Sequence, residues 1–191
     1  MAEIARSEFI LGGQRSGKSR RAETLARQWL DAAPNRRAVM IATAQAWDEE
    51  MRERIARHQA DRAERVPGMV TLEEPRDLAE SLRRSSNAQT LVVVDCLTLW
   101  LTHLMMPADP AQALGETAVI AAGEALCEAI AAALGPVVVV GNEIGLGVIP
   151  MGRDVRQFVD ALGRLNQSVA GACERVTLMA AGLPLTLKDT P

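Results

Sequence analysis

Six short, β-branched apolar runs recur along this chain: EFIL, AVMIAT, MVTLEE, TLVVVD, PVVVVGNE and RVTLMAAG. Between them the apolar spacing predicts helices over 19–30, 48–64, 75–85, 97–105, 111–134 and 152–173. Strands that read as nearly unbroken apolar runs are buried on both faces, and parallel neighbours must be joined by crossovers. The pattern therefore predicts an α/β fold with a mostly parallel central sheet and helices on both faces. One domain is expected over residues 1–191. A seventh run, GLPLTLK, is expected to turn back through Gly182 and Pro184 as an edge hairpin. MPADPAQALGE (106–116) reads as the principal loop. With 48% hydrophobic residues the chain can fill a sizeable core, and a disordered reading fails.

The first run leads into Gly12, Gly13, Gln14, Arg15, Ser16, Gly17, Lys18 and Ser19, a match to G-x-x-x-x-G-K-[ST] between a strand and a helix. Backbone N–H groups of such a loop converge on phosphate oxygens, and the helix N-terminus adds positive partial charge. Lys18 is placed to reach the β- and γ-phosphates of a nucleotide, and the Ser19 hydroxyl to ligate Mg2+. Of 21 basic residues only Lys18 and Lys188 are lysines, so the loop lysine is no casual surface choice. Asp95, closing TLVVVD, is suited to orient Mg2+ or its waters. The alternative is an aspartate that caps the following helix.

The net charge of -3 and the absence of an Arg/Lys-dense block argue against nucleic acid as a partner. No apolar run is long enough to span a bilayer, and no signal-like segment opens the chain. Cys96, Cys127 and Cys173 lie far apart without C-x-x-C spacing, as expected of buried free thiols in a reducing compartment. The expectation is a cytoplasmic chain. The acidic strand ends DCLT rather than in a D-x-x-G switch, and the late strand ends GNEIGLG rather than in N-K-x-D. This weakens a regulatory GTPase reading, and nothing suggests a motor. The size fits a small-molecule kinase or nucleotidyltransferase, with a nucleotide-binding regulatory subunit as the non-enzyme alternative.

There are two histidines. In a helix starting near Asp48, Met51, Ile55 and His58 share one face. On spacing alone a core or boundary histidine is the simpler account of His58. The sharper account is a nucleophile, since neutral imidazole can attack phosphorus and split one displacement into two. His103, after LTLWLT, is expected at a helix surface or boundary. Asn142, Glu143, Gly145 and Gly147 of NEIGLGVIP stand after a strand, where α/β sheets bind ligands. They read equally well as a binding border or as a plain turn.

Taken in order, GGQRSGKSRRAE, IATAQAWDEEMRERIARHQADR, TLEEP, VVVDCLTLWLTHL, NEIGLGVIP and GRLNQSVA resemble the bifunctional adenosylcobinamide kinase / adenosylcobinamide-phosphate guanylyltransferase family. The resemblance runs from Phe9 to Lys188. It implies a RecA-like P-loop NTPase fold and two reactions. One phosphorylates the aminopropanol hydroxyl of adenosylcobinamide with ATP or GTP. The other passes GMP from GTP, through a guanylylated histidine, to adenosylcobinamide phosphate. The family's R-I-x-x-H histidine falls on His58 of RIARH, beside Lys18 as catalytic group. Its nucleotide contacts fall on Gly12 to Ser19, Ala42, Thr43, Ala44, Gln59, Ala60, Asp61, Arg62, Glu73 and Asp95. Ser19 and Asp95 would hold Mg2+. The resemblance also implies a homo-oligomer, trimers being among the relatives, with a corrinoid wide enough to sit between subunits. Two departures stand out. Gln14 replaces the usual loop alanine. The segment before TLEEP runs a few residues long, which makes Glu74 a rival of Glu73 for guanine.

Overall fold

The computed structural model describes residues 4–46, 49–148 and 150–190, apart from the side chains of Met51 and Arg54. Asp48, the Met51 side chain and Ile149 of NEIGLGVIP therefore lie outside the described residues. Seven strands, β1 (Ser7–Gly12), β2 (Arg37–Ala42), β3 (Val70–Glu73), β4 (Thr90–Asp95), β5 (Val137–Asn142), β6 (Arg175–Ala180) and β7 (Leu183–Asp189), form one sheet. The helices are α1 (Lys18–Asp31), α2 (Glu49–Arg65), α3 (Leu78–Ser85), α4 (Leu97–Met105), α5 (Glu116–Ala131) and α6 (Arg153–Ala172).

Strand order is β3-β2-β4-β5-β1-β6-β7, parallel except for β7, which pairs antiparallel with β6. Alternation within the apolar runs divides the core in two. Phe9 and Leu11, Val92 and Val94, and Val137 and Val139 face α3 to α6. Ile10, Leu91, Val93, Val138 and Val140 face α1 and the residues after α2. The expected edge hairpin forms, turning at Ala181 and Gly182, whose φ values of 51° and 81° are left-handed. Among the described residues, no helix is long and apolar enough to cross a membrane.

Two helices start later than their apolar spacing predicts. The Glu74 carboxylate accepts hydrogen bonds from the N–H groups of Arg76 and Asp77, making a turn that delays α3 to Leu78. The Asp109 side chain accepts from Ala111 N–H, so Pro110–Gln112 closes as a 3-10 turn and α5 begins only after Gly115. Local side-chain bonds to backbone compete with the helix here.

The second lysine also has an assignment. Lys188 Nζ, on β7, donates to the carbonyls of Ala170, Gly171 and Cys173 at 3.1, 3.0 and 2.6 Å. These groups end α6, where carbonyls lack intrahelical partners and the dipole favours a cation. The bond ties the edge strand to the end of the longest helix. Lys188→Met is expected to lower stability by about 1–2 kcal/mol. Urea denaturation reads this, with Lys188→Arg restoring part of the loss.

Candidate nucleotide site

Parallel register sets the expected site residues along one edge of the sheet. Ala42 stands opposite Glu73 on one side and Asp95 on the other, while Gly12 stands opposite Asn142 and Met179. All are carboxyl ends of strands. The phosphate loop joins β1 to α1 above this row. Gly17 caps α1 with φ 99°, a conformation that side chains with a Cβ rarely adopt. A Cβ on Gly12 would come within 2.5 Å of both the Met179 carbonyl and Ser16 Oγ. Gln14 is exposed, consistent with a loop whose backbone does the cradling. Ser16 Oγ is buried with no hydrogen-bond partner among the described residues, a polar group that a bound anion could satisfy.

Lys18 is buried, and its Nζ donates to Gly13 O at 2.7 Å, which holds it over the loop. Burial lowers its pKa, while the nearby charge of Asp95 opposes the shift. Ser19 and Asp95 are half-buried. Asp95 is positioned through Thr43, which is wholly buried. Thr43 N donates to Asp95 O at 3.0 Å, its hydroxyl donates to Cys96 O at 2.8 Å, and Cys96 N donates to that hydroxyl at 2.9 Å. Each such bond is worth about 0.5–1.5 kcal/mol net. Thr43 thus latches the end of β2 to the end of β4 with its N–H and hydroxyl both committed. Burial pushes the Cys96 thiol up to about 11 and that of Cys173 to about 12. All three cysteines are free, as expected, with Cys127 half-buried.

On the β2 and β3 side lies a cleft of about 690 Å3, bordered by Ala44, Arg52, Ile55, Gln59, Glu73 and Ala108 among others. Glu73 is exposed, with Gln59 Nε2 at 3.5 Å from its Oε1. Glu74 is instead committed to the turn before α3. The geometry therefore brings Glu73, not its rival, to the cleft. Of the neighbouring positions, Asp61 accepts from Arg65 at 3.2 Å, Arg62 donates to Thr71 at 3.1 Å, and Ala60 is exposed. Arg52 escaped the sequence reading. Ile55, expected on one face with His58, instead borders the cleft with Arg52 and Gln59, whose spacing puts all three on one helix stripe.

His58 is exposed and does not border that cleft. It shares the adjacent stripe of α2 with Asp61, Arg62 and Arg65. The Arg65–Glu23 ion pair at 3.0 Å holds the end of α2 beside α1. Asn142 N–H donates to Thr98 Oγ1 at 3.1 Å and its carbonyl accepts from Asn166 at 3.1 Å, while Glu143 Oε1 accepts from Gly145 N–H at 2.9 Å. These bonds shape the strand end and the turn after it.

Comparison with known proteins gives the family. Residues 8–187 match the family model described as cobinamide kinase / cobinamide phosphate guanyltransferase. The bifunctional adenosylcobalamin biosynthesis protein CobP of Pseudomonas aeruginosa is 48% identical over 184 residues, covering 96% of this chain and 98% of the relative. The corresponding protein CobU of Escherichia coli is 34% identical over 188 residues, covering 94% and 98%. Among solved structures, the flagellar accessory protein FlaH from Methanocaldococcus jannaschii aligns with a TM-score of 0.53 at 13% identity, over 98% of this chain and 80% of that one. That likeness is one of fold, the RecA-like P-loop class.

One expectation is corrected. His103 is not at the helix surface but 2% exposed, because α4 is apolar on nearly every side and buries Leu97, Trp100, Leu101 and Leu104 with it. Burial lowers the imidazole below its ordinary 6.5, opposed by a hydrogen bond with the Thr43 backbone and assisted by the Arg76 charge. As pH falls the unfolded chain takes up this proton first. His103 therefore contributes stability above about pH 6.5 that is lost as the pH drops toward the folded value. Comparing urea midpoints between about pH 8 and pH 5.5, His103→Gln should show a smaller acid-side loss than the unmodified chain.

Proposed function

Because the chain belongs to the cobinamide kinase / cobinamide phosphate guanyltransferase family, we propose that it runs both reactions on one phosphate loop, with His58 as carrier of GMP. In the first, ATP or GTP phosphorylates the aminopropanol hydroxyl of adenosylcobinamide. In the second, a neutral His58 nitrogen attacks the α-phosphorus of GTP, and the bond to pyrophosphate breaks. The phosphate of adenosylcobinamide phosphate then attacks the same phosphorus. The P–N bond breaks, adenosylcobinamide-GDP forms, and the imidazole is regenerated.

The observation that carries this reading is the exposure of His58 on α2, the helix whose end the Arg65–Glu23 pair holds beside α1. A purely structural histidine would be buried or bonded, as His103 is. Lys18, already desolvated, stabilises charge on the transferred group more strongly than it would in water. Glu73 offers two carboxylate oxygens to the ring N–H and amino group of guanine. Ser19 and Asp95 are hard oxygen donors, and Mg2+ is commonly held by one or two such groups plus phosphates, so the pair fits it. The ion would neutralise phosphate charge there.

The chain is read as cytoplasmic and homo-oligomeric, a trimer being what the family resemblance implies. Leu183, Leu185 and Leu187 on the edge strand, 71%, 57% and 56% exposed, support a contact between copies, and a wide corrinoid suits a site between subunits. The reading is tested by incubating the protein with α-labelled and, separately, γ-labelled GTP, then denaturing it. An acid-labile, base-stable label from the α position alone is expected, and none from His58→Ala. Folded His58→Ala should keep kinase activity while guanylyl transfer falls by at least about 10³-fold. Equal collapse of both activities would end this division of labour. Phosphate transfer to another metabolite without labelling would favour a different kinase, and no turnover at all a regulatory subunit.

A further inference from the structure

A second cleft, of about 560 Å3, opens on the other side of the phosphate loop, between the first turns of α1 and the β6–β7 turn. We propose that it holds the base and ribose of the phosphoryl donor in the kinase reaction. The loop would then serve two nucleoside clefts, one on each flank, used for different chemistry. The inference rests on the family reading for which reaction each cleft serves, but the cleft stands on its own geometry.

Ser16 and Gly17 belong to the loop and also line this cleft, so phosphates held by the loop lead directly into it. Its far wall is fixed in place. Gly182 N–H donates to Ser16 O at 3.1 Å, and a Cβ on Gly17 would stand 3.4 Å from Gly182 Cα. Met179 and Pro184 supply apolar surface on that side. Across from them stand Arg15, Arg20 and Arg21. Arg21 is held by Glu8 at 2.8 Å, and Glu8, itself buried, also accepts from Thr177 at 2.8 Å. That arginine is a rigid wall with its charge compensated. The guanidinium groups of Arg15 and Arg20 form no ion pair among the described residues, and both residues are exposed. Arg15 holds φ at 56°, the kind of backbone outlier found at ligand clamps.

The two clefts differ in what they can read. Guanidinium groups and apolar faces stack on any purine, since every base offers a π-face. Among the described residues, no carboxylate or carboxamide borders the arginine cleft to read a base edge. The other cleft presents Glu73 and Gln59 together, groups that pair with the guanine edge. A base-tolerant cleft suits a donor that is ATP or GTP, whereas a guanine-reading cleft suits a step that takes GTP. Its size also suits a nucleoside. A single phosphate loop cannot fill both clefts at once, so donor ATP and guanylylating GTP must exclude one another.

Photolabelling with 8-azido-ATP on the intact chain, followed by peptide mapping, tests this without any substitution. Label on peptides containing Arg20 to Thr24 or Ala181 to Pro184 is expected. Label confined to 44–59 overturns the proposal. As a second measurement, Arg20→Glu, an exposed helix position, should raise the Kd for AMP-PNP about tenfold, with a much smaller effect on GTP-dependent labelling of His58. Glu73→Gln should show the opposite ranking. An Arg20→Glu protein binding AMP-PNP within about twofold of the unmodified chain sinks the idea, as does an unmodified chain that fails to bind it. The family reading fails separately: AMP-PNP binding that depends on Arg20, without guanylylation of His58, would leave the cleft standing and remove the transferase.

Discussion

Burial of the central strands on both faces is the constraint from which the site follows. A strand covered above and below has no solvent face on which to carry polar chemistry, so polar groups must wait until it ends. With parallel neighbours in register, those ends coincide. Gly12, Ala42, Glu73, Asp95 and Asn142 therefore meet along one rim although they are scattered through the chain. Lys18 arrives at the same rim on the first turn of α1.

Rim geometry alone would leave the strand ends loose. Thr43 corrects this with three hydrogen bonds to the residues that end β4, so the carboxylate of Asp95 sits on a backbone that cannot drift from β2. The Arg65–Glu23 pair does the same for the helices on the α1 face. Burial costs appear in consistent directions across this region: the lysine loses proton affinity and the adjacent thiol gains it. Both shifts follow from the burial of these two side chains.

Much of this was legible in the sequence because two periods carry it. The β-branched runs mark every strand, and the glycine pattern with its lysine marks the loop. The family resemblance added His58 and Glu73, which spacing alone left ambiguous. What stayed hidden depends on contacts between distant residues. Glu74 delays α3 through bonds to Arg76 and Asp77, and a helix period does not register a competing turn. His103 looked like a boundary residue because α4 has no polar face from which to judge direction. The arginine cleft needed the β6–β7 turn placed against the loop, a contact across most of the chain length.

The bond from Gly182 to Ser16 has a consequence for how the molecule is made. The phosphate loop is synthesised well before the strands that flank β1 and the turn that braces Ser16. A nascent chain therefore carries the glycine loop unbraced until the closing hairpin has been made, and contacts of such long range favour slow assembly.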